Sequence, residues 1–524
     1  GEPADLSLQG DLEATSTRFP CVSCHRPSGF GTSEGGTFVP PITGPVLFEE
    51  QELGQEHRNR LFREFFKESQ SNDFDARVRM PRARSAYTEN SLARAVRRGL
   101  DSEGRALDPA MPRYELDDQA MANLAAYLKT LSSETSPGVG EDTLHLATVV
   151  SDDVDPERRE AFLSTINRFI AWYNKDIQSQ IDNPGFSPFY RSEFKDAYRT
   201  WKLHVWELEG DRATWPEQLA NQYEAQPAFA MVSGLVSGSF APVDEFCNAQ
   251  RLPCVFPNTR LPSVGNPDWN YSLYFSRGLP LEAEALAFHL LREHDESLML
   301  HQIHTDSPEG TRPAQALEQY LADHATGASP TSTEVPDAPG MAKAIAAAAA
   351  DAGTDGSSVL ALWPGDHLEA AVTALNNHRP KHRLIALPST ALGPELEELS
   401  PQLRRRVRIT YPYEKPSGYH PRAYRIRAWM HSRGLELTHD RLQMQTFYAL
   451  TQIQYTVAQL IDDFHRDYLI ELIEHEAEAQ LNPGVYPSLS LGPGQRFASR
   501  GVYIMRLTED GEPPYTAVSE WLIP

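Results

Sequence analysis

From residue 144 onward, short apolar runs alternate with amphipathic stretches of helical length, and this rhythm restricts the fold more than any other feature of the chain. LHLATVV (144–150) precedes a helical pattern near 156–174, and WKLHVWEL (201–208) precedes another near 215–225. AFAMVSGLV (228–236), PCVFP (253–257), LMLHQI (298–303), VLALW (359–363), RLIALP (383–388) and VRITYP (407–412) continue the series. It closes with a long helical pattern at 439–477 and a strand-like GVYIMRL at 501–507. Strands alternating with helices of ten or more residues predict an α/β fold with parallel sheets. At roughly 380 residues the stretch is long for one sheet and suits two lobes. The Ala-rich run at 342–352 reads as a helix packed closely on a sheet.

The residues before it read differently. A Gly/Pro/Ser-rich region spans 20–45, and helical patterns follow at about 55–69, 88–100 and 117–131, the last marked by Leu116, Met121, Leu124, Leu128 and Leu131. SSETSPGVGED is small, polar and rich in turn formers, as a linker would be. The expected organisation is therefore a first domain at 1–132, a linker at 133–142 and a second domain at 143–524. Acidic residues number 72 against 48 Lys plus Arg, a formal charge of −24, with most of the surplus past residue 135. Such a chain is a poor match for nucleic-acid backbones; the charge favours basic partners or ligands, or is simply a solvated acidic surface. No apolar run approaches the ~18 residues of a membrane-spanning helix. The start, GEPADLSLQG, lacks the charged and apolar regions of a signal peptide, as would a mature chain whose signal has been removed or a cytoplasmic chain.

Four cysteines form two close pairs, 21/24 and 247/254. Cys21-Val22-Ser23-Cys24-His25 is a CxxCH motif: two thiols three apart can each add to a haem vinyl group, and the adjacent imidazole then lies under the iron. A dithiol redox motif has no need of the histidine, and a zinc site needs further ligands nearby. Downstream stand Gly44-Pro45-Val46-Leu47, Met111-Pro112-Arg113-Tyr114 and Ala126-Tyr127-Leu128. In that order these motifs resemble the class I c-type cytochromes, over about 115 residues. The resemblance implies an all-α domain with one covalently bound haem c, Cys21 and Cys24 as thioethers, His25 as proximal and Met111 as distal iron ligand, and the Pro45 carbonyl accepting the His25 Nδ1 proton. Met80-Pro81 is a competing Met-Pro pair, but only Met111 keeps the family's distance to the last helix. The resemblance also implies a periplasmic location, since such haem is attached outside the cytoplasm.

In the second domain, Cys247 and Cys254 suit a short disulfide loop in an oxidising compartment, or two buried thiols. A strand runs into Ser233-Gly234-Leu235-Val236-Ser237-Gly238-Ser239 before a helix starting near Pro242, and the next strand ends in Phe256-Pro257-Asn258-Thr259. Polar groups at strand carboxyl ends are where open α/β sheets bind ligands. With Tyr271-Ser272-Leu273-Tyr274-Phe275 following, the order of elements over 143–524 resembles the type I periplasmic binding proteins of the Leu/Ile/Val-binding kind, the substrate-binding components of ABC transporters. The resemblance implies two Rossmann-like lobes with the ligand between them. Ser237, Ser239 and Thr259 would meet it from the first lobe, and Trp363, Asp366 and Ser389 from the second. No Tyr and acidic pair suited to an α-ammonium is identifiable. Trp201 and Trp206 suit either a cleft wall or the core. His301 and His304 are poor metal co-ligands, being three apart on a strand and so on opposite faces.

Together these features predict a periplasmic electron-transfer protein: a monohaem cytochrome fused to a small-molecule-binding module, with a periplasmic dehydrogenase or another cytochrome as redox partner. The alternative is a solute-binding receptor for a transporter or sensor, with haem as its redox input. No P-loop or GxGxxG motif occurs, so a carrier or binding protein is expected rather than an independent catalyst.

Overall fold

The computed structural model describes residues 5–8, 12–15, 18–34, 37–50, 84–182, 199–263, 271–293, 299–324, 330–351, 358–416, 421–460, 463–476, 484–508 and 514–524. The pattern at 55–69 and the Met80-Pro81 pair lie outside them. The chain forms two compact units: Gly1–Leu144 with Asn174–Thr200 and Thr456–Leu472, and His145–Tyr173 with Trp201–Tyr455 and Ile473–Pro524.

In the first unit, helices Glu89–Arg98 and Asp118–Thr130 carry the core. Thr88 and Ser91 close a capping box on the former, and left-handed Gly99 ends it. Asp117 accepts from the Ala120 N–H to start the latter. Their apolar faces bury Leu92, Val96, Met121, Ala125 and Leu128 with Leu47 and Tyr114. The unit is not all-α. Strands β1 (Asp5–Leu8) and β2 (Leu12–Thr15) form an antiparallel pair, β3 (Thr32–Glu34) and β4 (Thr37–Val39) a second, and β5 (Arg113–Tyr114) adds to β1. Leu6 and Leu8 alternate with polar residues, the period of a strand and not of a helix. Residues 133–142 do not hang free: the Ser136 N–H donates to the Phe464 carbonyl, and Ser136 Oγ accepts from the Arg466 N–H.

The second unit has the expected α/β layers. Its first sheet comprises β6 (Thr143–Ser151), β7 (Thr200–Leu208), β8 (Ala230–Val232), β9 (Cys254–Val255) and β10 (Ser272–Leu273), in the order β10-β9-β8-β6-β7. β8, β9 and β10 run parallel to β6. The second sheet comprises β11 (Leu300–Thr305), β12 (Thr331–Val335), β13 (Val359–Trp363), β14 (Leu384–Leu387), β15 (Val407–Tyr411), β16 (Tyr503–Leu507) and β17 (Tyr515–Ala517), in the order β12-β11-β13-β14-β15-β16-β17. It is parallel through β15, and β16 and β17 then add antiparallel. Every residue of β13 and β14 is buried, which is why these strands read as unbroken apolar runs. β8 is shorter than its apolar run because Ser233 and Gly234 take positive φ and turn the chain. The 439–477 pattern is two helices, Asp440–Leu460 and Arg466–Glu476. Cys247 and Cys254 form a disulfide.

Gly278 fixes the exit from β10. Its φ is +66° and a Cβ there would sit 2.0 Å from the Arg260 carbonyl oxygen, so the loops after β9 and β10 can meet only if this residue has no side chain. Gly278→Ala should cost about 2 kcal/mol or more, combining left-handed strain with overlap, and lower the urea midpoint of tryptophan emission. An unchanged midpoint would contradict this packing.

Candidate functional site

The CxxCH residues lie on one tight turn of the first unit. The short helix Val22–His25 brings Cys21 and Cys24 to the surface as thiols outside any disulfide and turns the His25 ring inward. His25 Nδ1 lies 3.0 Å from the Pro40 carbonyl oxygen, so the proton on Nδ1 is held there and Nε2 is left without one. The accepting carbonyl is thus that of Pro40, not Pro45; the Pro45 carbonyl accepts from the Glu49 N–H within helix Gly44–Phe48. Burial lowers the His25 pKa, and the Pro40 bond opposes that.

The Met-Pro-Arg-Tyr loop arrives through β5. Its Tyr114 hydroxyl donates to the Phe19 carbonyl at 2.8 Å, and burial, followed by the Cys21 thiol beside it, pushes the phenol pKa upward. Met111 is half-buried in the bend before β5, its N–H donating to the Asp108 carbonyl. Motifs separated by the length of the unit therefore meet around the cysteines. Two thiols on one turn, an imidazole with Nδ1 already committed and an adjoining apolar cluster fit a covalently held haem. One neighbour was not visible in the sequence. Glu471 is buried and accepts from the Ser28 N–H at 2.7 Å and from the Ser28 hydroxyl, just past the motif. Burial raises its pKa to about 8 against those bonds.

In the second unit the strand-end residues fare unevenly. The Ser237 N–H donates to Ser151 Oγ and the Ser237 carbonyl accepts from Arg212, which also pairs with Asp153. Ser239 Oγ accepts from the Ala241 N–H, and Thr259 Oγ1 from the Leu261 N–H, so both stabilise their own loops. Asp366 is exposed at the β13 end. Two assignments are corrected. Trp363 is buried, packs with Leu286, Leu290 and Leu317, and donates to Gln302 Oε1, because the β13 pleat turns it toward the covering helices. Ser389 is also buried; its N–H and hydroxyl both donate to Glu282. Trp201 and Trp206 belong to the core. His301 bonds Thr333 and His304 the Thr305 carbonyl, from the opposite faces of β11.

The groups that meet across the strand ends are others. Arg158, on the helix after β6, lies within electrostatic reach of Asp155, of Arg260 beyond β9 and of Tyr413 beyond β15. Burial and then Arg260 hold its pKa below the ordinary guanidinium value. Arg441, at the start of helix Asp440–Leu460, places its guanidinium carbon 3.7 Å from the centre of the Tyr413 ring. Asn258 donates to Ser233 Oγ and Thr446 Oγ1, while its own Oδ1 is buried without a donor among the described residues. These residues give no spacing motif, because the strand order alone makes them neighbours.

No family model matches the chain, and no curated protein matches it. Solved structures do match. A branched-chain amino acid ABC transporter protein from Thermus thermophilus with bound valine aligns at TM-score 0.54 and 11% identity, covering 74% of this chain and 98% of that one. A substrate-binding ABC transporter protein from Aeropyrum pernix aligns at TM-score 0.53 and 11% identity, covering 73% and 96%. A fatty acid ABC transporter substrate-binding protein from Thermomonospora curvata aligns at TM-score 0.51 and 14% identity, covering 75% and 95%. The α/β part of the chain therefore has the type I periplasmic-binding-protein fold. These likenesses bear on that fold alone, and the haem reading rests on the residues of the first unit.

Proposed function

We propose that the protein is a solute-binding receptor that takes a small molecule at the strand ends of its second unit and carries a haem c in its first as a redox input. The observation that carries the binding reading is the convergence of Arg158, Asn258, Arg260 and Tyr413, from both sheets, where such folds hold ligands. The similar structures are substrate-binding proteins, one of them with valine bound, which supports a receptor over a module that only docks. Among the described residues no helix is long and apolar enough to cross a membrane, and the disulfide accords with an exported, periplasmic protein.

Cys21, Cys24 and His25 would hold the haem, with Met111 as the distal ligand. A haem held by these residues would supply reversible one-electron chemistry. The chain's own part is to fix the His25 tautomer through Pro40 and to keep the ring out of water. A redox protein, a dehydrogenase or another cytochrome, would be the electron partner.

Protein made in cells that attach c-type haem should carry one haem mass on the peptide containing Cys21 and Cys24, with a c-type pyridine haemochrome spectrum that Cys24→Ala alters. An unmodified peptide would end the haem reading. Separately, a solute screen read by tryptophan emission should find stabilising compounds, since a ligand at about a hundred times its Kd adds roughly 2.7 kcal/mol. A screen with no shift would end the receptor reading.

A further inference from the structure

We propose that the strand-end site of the second unit takes an aromatic carboxylate, its acid group held between Arg158 and Arg260 and its ring laid toward Tyr413 and Arg441. This rests on the receptor reading above and names the ligand class.

The pairing of charges in the second unit carries it. Arg159 pairs with Glu207, Arg212 with Asp153, Arg277 with Glu284 and Arg427 with Asp440. In a chain of net charge −24, carboxylates are plentiful. Yet among the described residues Arg158, Arg260 and Arg441 have no ion pair and no side-chain hydrogen bond, although Arg158 and Arg441 are half-buried. Two acids lie within electrostatic reach, Asp155 of Arg158 and Glu282 of Arg260, and each also accepts hydrogen bonds from its own surroundings. Asp155 Oδ1 accepts from the Arg158 backbone N–H at 3.0 Å as it starts the helix. Glu282, which Arg260 faces, is buried and accepts from Ser389 and Thr410. Arg158 and Arg260 thus repel across a gap that an anion would neutralise, and the guanidinium fork suits a carboxylate bidentately.

The rest of the site specifies the body of the ligand. Arg441 sits over the Tyr413 ring, and Tyr413 packs edge-on against buried Tyr411 and tilted against buried Tyr486, both at ring separations of 5.4 Å, so the ligand's ring would meet an aromatic cluster here. Asn258 Oδ1, two residues before Arg260, is a buried acceptor with no donor among the described residues, so a hydroxyl on the ligand gains a bond there. The overall acidity of the chain favours basic partners, but the local field at this site has the opposite sign.

All eight tryptophans fall within the ranges of the second unit, so their emission reports on it alone. In melts of the full chain, 4-hydroxybenzoate and 4-hydroxycinnamate should raise the midpoint, and 4-hydroxybenzamide, without the charge, should bind at least tenfold more weakly by calorimetry. Arg158→Gln and Arg441→Gln should each weaken the acids at least tenfold, and Arg158→Lys, which keeps charge but loses the fork, should fall between. Equal binding of acid and amide, or acid binding unaffected in both Gln variants, overturns the proposal. If leucine or valine stabilises the protein and the acids do not, the proposal fails while the receptor reading stands. If no solute shifts the melt, both fail.

Discussion

Between about pH 5 and pH 9 the first unit is expected to lose roughly 3–5 kcal/mol of stability through one side chain, Glu471. Its carboxyl is buried against Ser28, and burial lifts its pKa from the ordinary 4.5 to about 8, despite the bonds from Ser28 and the charge of Arg26. The folded state therefore holds this proton more tightly than the unfolded chain does. The contribution is fully present below about pH 4.5, falls as pH rises, and is gone above about pH 8. Glu471→Gln, neutral at every pH and able to accept from the Ser28 N–H, should match the wild type near pH 5 and exceed it near pH 9. Hydrogen exchange of peptides spanning 22–31 and 466–472 should show the divergence, while tryptophan emission, confined to the second unit, should not. Parallel pH profiles for the two proteins would show that Glu471 is not held neutral. Because Ser28 follows His25 by three residues, the same titration is expected to loosen the loop that carries the CxxCH turn.

What could be read from the sequence depended on whether the chemistry was local. CxxCH is legible because the distance between its thiols and imidazole is set by one turn, whatever surrounds it. Its carbonyl acceptor is not: Pro40 and Pro41 follow the β3–β4 hairpin and Pro45 opens the next helix, and the path of the chain out of that hairpin selects Pro40. The parallel sheets are legible because strands buried on both faces must be apolar throughout, as in β13. For the same reason the sequence cannot say which face Trp363 occupies, and it packs into the core. Ser389 lies just past the end of β14, but a strand end can serve the scaffold, and its two donors go to Glu282. Arg158, Arg260 and Arg441 are dispersed along the chain and resemble ordinary surface cations in sequence. Only the order β10-β9-β8-β6-β7 and the return of the chain after β15 bring them together.

Glu282→Ala should be the most damaging single change at the second sheet, costing roughly 3–5 kcal/mol. The side chain rises from helix Leu279–Glu293 and is 2% exposed. Its oxygens accept from the Ser389 N–H and hydroxyl, both at 2.7 Å, and from the Thr410 hydroxyl at 2.6 Å. One carboxylate therefore ties a helix to the ends of two adjacent strands, β14 and β15, and the chain leaving β15 carries Tyr413. Alanine would leave the Ser389 N–H and hydroxyl buried without an acceptor, leave the Thr410 hydroxyl only the long bond to the Leu387 carbonyl at 3.4 Å, and open a cavity beside them. Glutamine retains an acceptor and nearly the same volume, so it should cost less than half as much. Urea denaturation followed by tryptophan emission should show a lower midpoint with an unchanged slope for Glu282→Ala, since the same surface is exposed on unfolding. Equal losses for the alanine and glutamine variants would show that the negative charge facing Arg260, rather than the three hydrogen bonds, is what holds these strand ends.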